Sequence, residues 1–223
     1  MFVRDYMTKD PLSISPKTTY PDAIRLMREH KIRRLPVVKK GKLIGVVVEK
    51  DLLSNQPSPA TTLSIHEMYS LLENLKVKQM MSSPVFTATV NCPMEAAAGI
   101  MIKNKIGCLP VMDGNDLVGI ITETDIFKAF VSVLGGYAEG IRLTVDLPDE
   151  VGKLAEVAKL IAEANGNILA VTTTNINQDE NSEVTIKETG ADAEALKKLL
   201  DEADISVVDL RTNVDYSPKK FGK

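Results

Sequence analysis

The chain has 223 residues, 44% of them hydrophobic and 26% charged, with a formal net charge of −3. That apolar share supports real cores, while no run approaches the roughly 18 consecutive apolar residues of a membrane span. The slight negative charge and the absence of Trp give no general reason to bind nucleic acid or anionic lipid, so neither is expected as a partner. Cys92 and Cys108 lack CxxC spacing, and with His30 and His66 they show no metal-ligand pattern, so no metal site is expected. The opening MFVRDYMTKD lacks the apolar segment of a secretory signal, which makes a cytoplasmic address the expectation.

From the N-terminus, Leu12–Ser15 reads as a short extended piece ended by Pro16. Pro21 opens a helix, where the missing N–H of proline costs nothing. Ala23, Ile24, Leu26 and Met27 give that helix its apolar face. Leu35–Val38 and Leu43–Val48 read as a hairpin about Lys40-Gly41-Lys42. Glu49-Lys50-Asp51 then starts a helix, with carboxylates where a helix N-terminus favours negative charge. Ser54–Thr62 is polar and proline-rich, hence a loop. Ser64-Ile65-His66-Glu67 has the pattern of a capping box opening a short helix to about Leu75.

The next stretch repeats the first. Shifted by 74 positions, residues 3–53 fall on residues 77–127 without a gap. Val3, Met7, Ala23, Met27, Lys31, Ile32, Leu35, Pro36, Val37, Leu43, Gly45, Glu49 and Asp51 all meet an identical residue, the last at Asp125. Each copy reads as a βαββα unit, with Asp113-Gly114-Asn115-Asp116 as the second hairpin turn. One such unit buries little surface alone, so two are expected to pack together.

The Leu-Pro-Val run, the hairpin and the closing Gly-h-h-(Thr/Ser)-x-x-Asp, where h is apolar, resemble the CBS domain, which occurs in tandem pairs. The resemblance spans about residues 3–130. It implies a regulatory module with adenine nucleotides or related ligands in the clefts between the units. AMP, ADP, ATP, S-adenosylmethionine or a cyclic dinucleotide would fit that class, and no further cofactor is required. On this reading Asp125 accepts from the ribose hydroxyls, Thr122 and the helix N–H groups meet phosphate, and Gly119 allows close approach. The competing reading of Asp125 and Thr122 is an ordinary helix cap. In the first copy Gly45 and Asp51 remain, but Val48 stands where the hydroxyl should be, so the two sites are expected to differ, the second being better equipped. Lys31, Arg33 and Arg34 are candidate phosphate contacts, against the alternative of a solvated charge patch. Ser13 and Thr87, at matching places in the first strand of each copy, are candidates for the base.

After Gly135-Gly136 the pattern changes. Ile141–Leu147 alternates as a strand, and Val151–Ala164 has helical period, with Gly166 expected in the left-handed closing position. Ile168–Ile176 and Glu183–Lys187 read as a hairpin around Asn177–Asn181. Asp192–Ala203 is a second helix and Ile205–Leu210 a last strand. The order βαββαβ is a ferredoxin-like layout. The stretch LPDEVGKLAEVAKLIAEANGNIL is similar to the opening of the ACT domain. That resemblance implies pairing of two copies and an amino acid held near Asp149, Gly152, Asn167 and Ile168. Alternatively the unit only dimerises, with Gly152 a tight turn and Asn167 a turn or cap residue.

The expected fold class is α+β: two βαββα CBS units packed as a pair, then a ferredoxin-like ACT domain. The expected boundaries are 1–56, a linker with a short helix at 57–76, 77–134, 139–212 and a basic tail at 213–223. The order CBS–CBS–ACT resembles the acetoin-utilisation AcuB-type family. That resemblance implies a non-catalytic, homodimeric sensor that modulates an unidentified partner protein. The alternatives are a dimerisation scaffold without ligand and, with no Walker loop, nucleophile elbow or HExxH to support it, an enzyme acting on a nucleotide.

Overall fold

Thr19 begins the first long helix by capping it: its hydroxyl accepts the Asp22 N–H at 3.3 Å and donates to Asp22 Oδ2 at 2.7 Å. This is a computed structural model that describes residues 1–54, 67, 72–174 and 181–212. Contacts divide the chain into two units, Met1–Phe127 and Lys128–Lys223. Ser64 to His66 of the expected capping box, most of the loop before it, the turn at 175–180 and the basic tail lie outside the described residues.

In the first unit, α1 (Val3–Tyr6) and β1 (Thr8–Lys9) lead into α2 (Tyr20–Glu29), the hairpin β2 (Arg34–Lys39) and β3 (Lys42–Val48), and α3 (Glu49–Ser54). The second repeat supplies β4 (Ala88–Thr89), α4 (Met94–Asn104), β5 (Cys108–Asp113), β6 (Asp116–Thr122) and α5 (Glu123–Val133). Both helices that precede a hairpin end on a left-handed lysine, Lys31 at φ 52° and Lys105 at φ 54°. Both hairpins carry a register shift at the same place, after Val37 and after Val111. Lys40 and Gly41, the two-residue loop of the first hairpin, take φ of 51° and 77°. Positive φ of this kind matches the twist of the flanking strands.

The repeats exchange their leading segments. β1 pairs antiparallel with β6 of the second repeat, and Ser82 pairs in the same way with Val46 of β3. The Val3 N–H donates to Cys92 O, and the equivalent Val77 N–H donates to Thr18 O, both at 2.9 Å. Val77 and Met80 accordingly sit in the core of the first repeat with Ala23, Met27, Leu35 and Val47. The hydrophobic pattern marked Val3, Met7, Val77 and Met81 as matched pairs but not that each belongs to the other repeat. The extended piece expected at Leu12–Ser15 reduces to a single parallel bridge, Ile14 to Val37, whereas its counterpart β4 is a short strand beside β5.

Two expected ligand glycines also have a packing reason. A β-carbon on Gly45 would stand 2.5 Å from Met81 Sδ, and one on Gly119 would collide with Met7 Sδ. Each glycine admits the methionine of the exchanged segment, so the close approach anticipated at Gly119 and Gly45 is made by Met7 and Met81.

The second unit holds β7 (Ile141–Pro148), α6 (Lys153–Glu163), β8 (Asn167–Thr174), β9 (Asn181–Thr189), α7 (Ala193–Glu202) and β10 (Ser206–Thr212). Its antiparallel sheet runs β10-β7-β9-β8, the ferredoxin-like order. Leu143, Val145, Ile186, Val157, Ile161, Leu196 and Leu200 close the core between sheet and helices. Asp192 caps α7 through the Ala195 N–H at 2.9 Å. The left-handed residue after α6 is Asn165 at φ 61°, not Gly166. Gly166 is required by crowding: a β-carbon there would stand 2.6 Å from Glu188 Oε2. Glu188 is fully buried in β9, accepts the Ala191 N–H at 3.2 Å through Oε2, and leaves Oε1 without a partner among the described residues.

Candidate functional site

The two sheets of the first unit meet through Val46, Cys108 and Ile120, with Val48 and Val85 packed against them. Beside this seam lies a cavity of about 540 Å³, within the size range of small-molecule sites. Its wall draws on both repeats. The first contributes Arg33, Arg34, Val46, Val48 and Glu49-Lys50-Asp51; the second contributes Ser82, Pro84-Val85-Phe86, Lys105 to Cys108 and Glu123.

Local rules place these groups. Glu49 to Asp51 form the first turn of α3, where carboxylates oppose the free N–H groups. Arg33 follows the left-handed turn at Lys31, and Arg34 is the first residue of β2. Arg34 is mostly buried, 19% exposed, and its Nη2 lies 3.8 Å from Glu123 Oε2 of the other repeat. Gly107 leaves room for that approach, since a β-carbon there would stand 2.6 Å from Arg34 Nη2 and 2.9 Å from Glu123 Oε2. Burial pushes the Cys108 thiol up, an effect that Arg34 beside it partly offsets and Glu123 reinforces.

Of the expected site residues, the cavity gathers Asp51, Arg33 and Arg34. Asp125, Thr122, Gly119, Gly45, Lys31, Ser13 and Thr87 do not line it. Asp125 is engaged locally: its Oδ2 accepts the Thr122 hydroxyl at 2.7 Å and the Thr122 N–H at 2.9 Å. The hydroxyl that set the second copy apart thus serves as a helix cap, while Val48 leaves an apolar wall in the cavity beside Asp51. Phe86, Lys50, Lys105 and Glu123 were missed by sequence reasoning. Phe86 is 52% exposed and aligns with Leu12 in the repeat, so its aromatic ring is the signal that a search for identities passed over.

In the second unit, Asp149 and Gly152 follow β7, and Gly152 takes φ 98° at the start of α6. Asn167 and Ile168 begin β8 and pair with Thr189 and Glu188. Pro148 and Ile141 pair with Asn181 and Glu188 at opposite ends of the same ladder. Asn181, opposite Pro148, and Thr189, opposite Asn167, lie at the two ends of β9, so the two halves of this expected site are about 26 Å apart along the sheet at roughly 3.3 Å per residue, and one copy does not bring them together.

Comparison with known proteins agrees with the repeat. Residues 3–58 and 77–132 match the CBS domain. The chain belongs to the CBS-domain family. Residues 139–211 match the TTHA0829-like ACT domain, so the CBS pair is followed by an ACT domain. MJ1225 of Methanocaldococcus jannaschii is 34% identical over 134 residues, which are 57% of this chain; the match covers 46% of that relative, under half its length. An AcuB from Vibrio cholerae, assigned to acetoin utilization, is 32% identical with a TM-score of 0.50, over 60% of this chain and 93% of its own. The CBS pair is also similar to CBSX2, a protein of Arabidopsis thaliana, in a complex with AMP, at 26% identity and a TM-score of 0.51 over 59% of this chain and 97% of that one. Among the described residues no helix is long and apolar enough to cross a membrane, and no three His, Cys, Asp or Glu side chains group as a metal site.

Proposed function

We propose that this protein is a regulatory sensor whose CBS pair binds an adenine nucleoside 5′-phosphate in the cavity at Asp51. The observation that carries the reading is the convergence, on one cavity wall, of a carboxylate, an exposed aromatic ring and a cluster of cations: Asp51, Phe86, and Arg33, Arg34, Lys50 and Lys105. A helix-start carboxylate suits a ribose diol, the Phe86 face suits a purine, and guanidinium groups suit phosphate oxygens. The AMP complex of CBSX2 supports the ligand class. Asp125 does not line this cavity and its Oδ2 accepts the Thr122 hydroxyl, so on this account it is not the residue that holds the tighter ligand.

Binding regulates rather than reacts. The thiol lining the cavity, Cys108, is pushed up by burial and is a poor nucleophile. Because both repeats line the cavity, a ligand that prefers one arrangement of the two would shift the chain toward it. A partner protein would read that shift, with the tie to acetoin utilisation resting on likeness to AcuB. An amino acid at the ACT domain requires a second copy of the chain, since Asp149 and Asn167 sit at opposite sheet ends.

A thermal-shift screen with AMP, ADP, ATP and S-adenosylmethionine tests the reading. Stabilisation by a nucleoside phosphate supports it, and no shift with any adenine compound leaves the scaffold reading. Release of product during a prolonged incubation with AMP or ATP would instead favour an enzyme.

A further inference from the structure

Arg34 is the most buried cation lining the cavity for which an ion pair is seen, yet that pair is loose. Its Nη2 stands 3.8 Å from Glu123 Oε2, beyond hydrogen-bond length, and no other oxygen acceptor reaches its guanidinium among the described residues. Its further side-chain partner is the Cys108 thiol, a weak acceptor, so a guanidinium that is 19% exposed keeps capacity for an oxyanion. Its partner is differently placed. The Glu123 side chain is 56% exposed and can turn into water at little cost.

The pair also occurs once rather than twice. Under the repeat, Arg34 corresponds to Cys108 and Glu123 to Glu49, so the related position offers a thiol and no cation. Gly107, at the place of Arg33, is what lets Arg34 and Glu123 approach, because a β-carbon there would crowd both.

Building on the adenosyl-ligand reading above, we infer that Glu123 is a specificity-determining residue that competes with the ligand's phosphate for Arg34. Glu123 holds Arg34 against the seam until a dianionic phosphate displaces it. The displacement cost falls on phosphorylated ligands alone, so Glu123 sets how far the cavity prefers a nucleoside phosphate over an uncharged nucleoside. A cationic adenosyl compound gains nothing from Arg34 and is disfavoured by it.

The test is calorimetric titration of AMP and of adenosine into the full chain and three variants. Glu123→Gln is expected to tighten AMP about fivefold, the scale of a partly exposed ion pair, and to leave adenosine unchanged. Glu49→Gln removes the same charge from the same cavity without a partner in Arg34, and is expected to change AMP by less than about twofold because solvent and salt screen it. Arg34→Gln is expected to weaken AMP about tenfold or more and to abolish the gain from Glu123→Gln. Because Glu123 is exposed, its variant is not expected to compromise folding, which a thermal midpoint confirms. An unchanged or weaker AMP affinity in Glu123→Gln overturns the inference, as does an equal gain in Glu49→Gln or a parallel gain for adenosine. Absence of binding by both compounds to the unaltered chain overturns the adenosyl reading along with it.

Discussion

The sulfur of Met7 occupies the space in which a β-carbon on Gly119 would stand, so the first repeat's leading segment locks onto the second repeat's central strand. Gly119→Ala should force Met7 aside and destabilise the chain by about 1 kcal/mol, the low end for overpacking because methionine is flexible. Adding Met7→Ala should recover part of that loss. The urea midpoints of the two single variants and the double variant check the coupling; additive losses would show that the two residues do not meet.

Thr122 and Asp125 cap one another at the start of α5. Thr122→Val should therefore cost about 1 kcal/mol of stability, as lost helix caps do. AMP affinity should stay within about twofold, since the hydroxyl serves the helix and Thr122 does not line the cavity proposed for the ligand. A tenfold loss of AMP affinity would transfer the principal site to the Asp125 cleft.

Asp22 gives the chain an acid-sensitive contact. The Thr19 hydroxyl and then Arg25 hold its carboxyl below the usual range. A depressed folded value means that the contribution is present above the unfolded value and is lost as pH falls through the folded one. Thr19→Ala should cost about 1 kcal/mol at neutral pH through the lost cap and should raise the Asp22 titration toward its ordinary value. Carboxyl chemical shifts followed against pH measure the second effect, and an unmoved titration would contradict the assignment of Thr19 as its main cause.

Glu188 carries a cost inside the ACT domain, being fully buried with Oε1 unpartnered among the described residues. Glu188→Met keeps the length, removes the unsatisfied oxygen and loses one bond from the Ala191 N–H. The balance favours the variant by up to about 1 kcal/mol, since the fully buried oxygen is removed while the Ala191 N–H it leaves is only half-buried and can turn to water. Chemical denaturation reads the difference, and a loss of stability would mean that the carboxylate has a partner beyond the described residues.

Much of the architecture was legible because local rules and global packing agree. The repeat from Val3 to Asp51, the hairpin turn at Lys40-Gly41 and the βαββαβ order each follow from period, turn chemistry and caps that survive in the structure. What was not legible depends on which partner a segment meets. Nothing in Met7 or Met81 says that each belongs to the other repeat, so the packing role of Gly45 and Gly119 beneath the crossing methionines was not legible. The site shows the same limit. Asp51, Arg33 and Arg34 stood out by pattern, but Phe86, Lys105 and Glu123 join them only because the repeats fold face to face. Gly166 was misread for a related reason: its conformation is ordinary, and the carboxylate that crowds it comes from Glu188, far along the chain.

Titration calorimetry of AMP into the full chain, Asp51→Ala and Asp125→Ala tests the central claim most directly. The account predicts that Asp51→Ala abolishes the tighter binding event while Asp125→Ala leaves it in place. Loss of that event in Asp125→Ala, with Asp51→Ala unaffected, would contradict it.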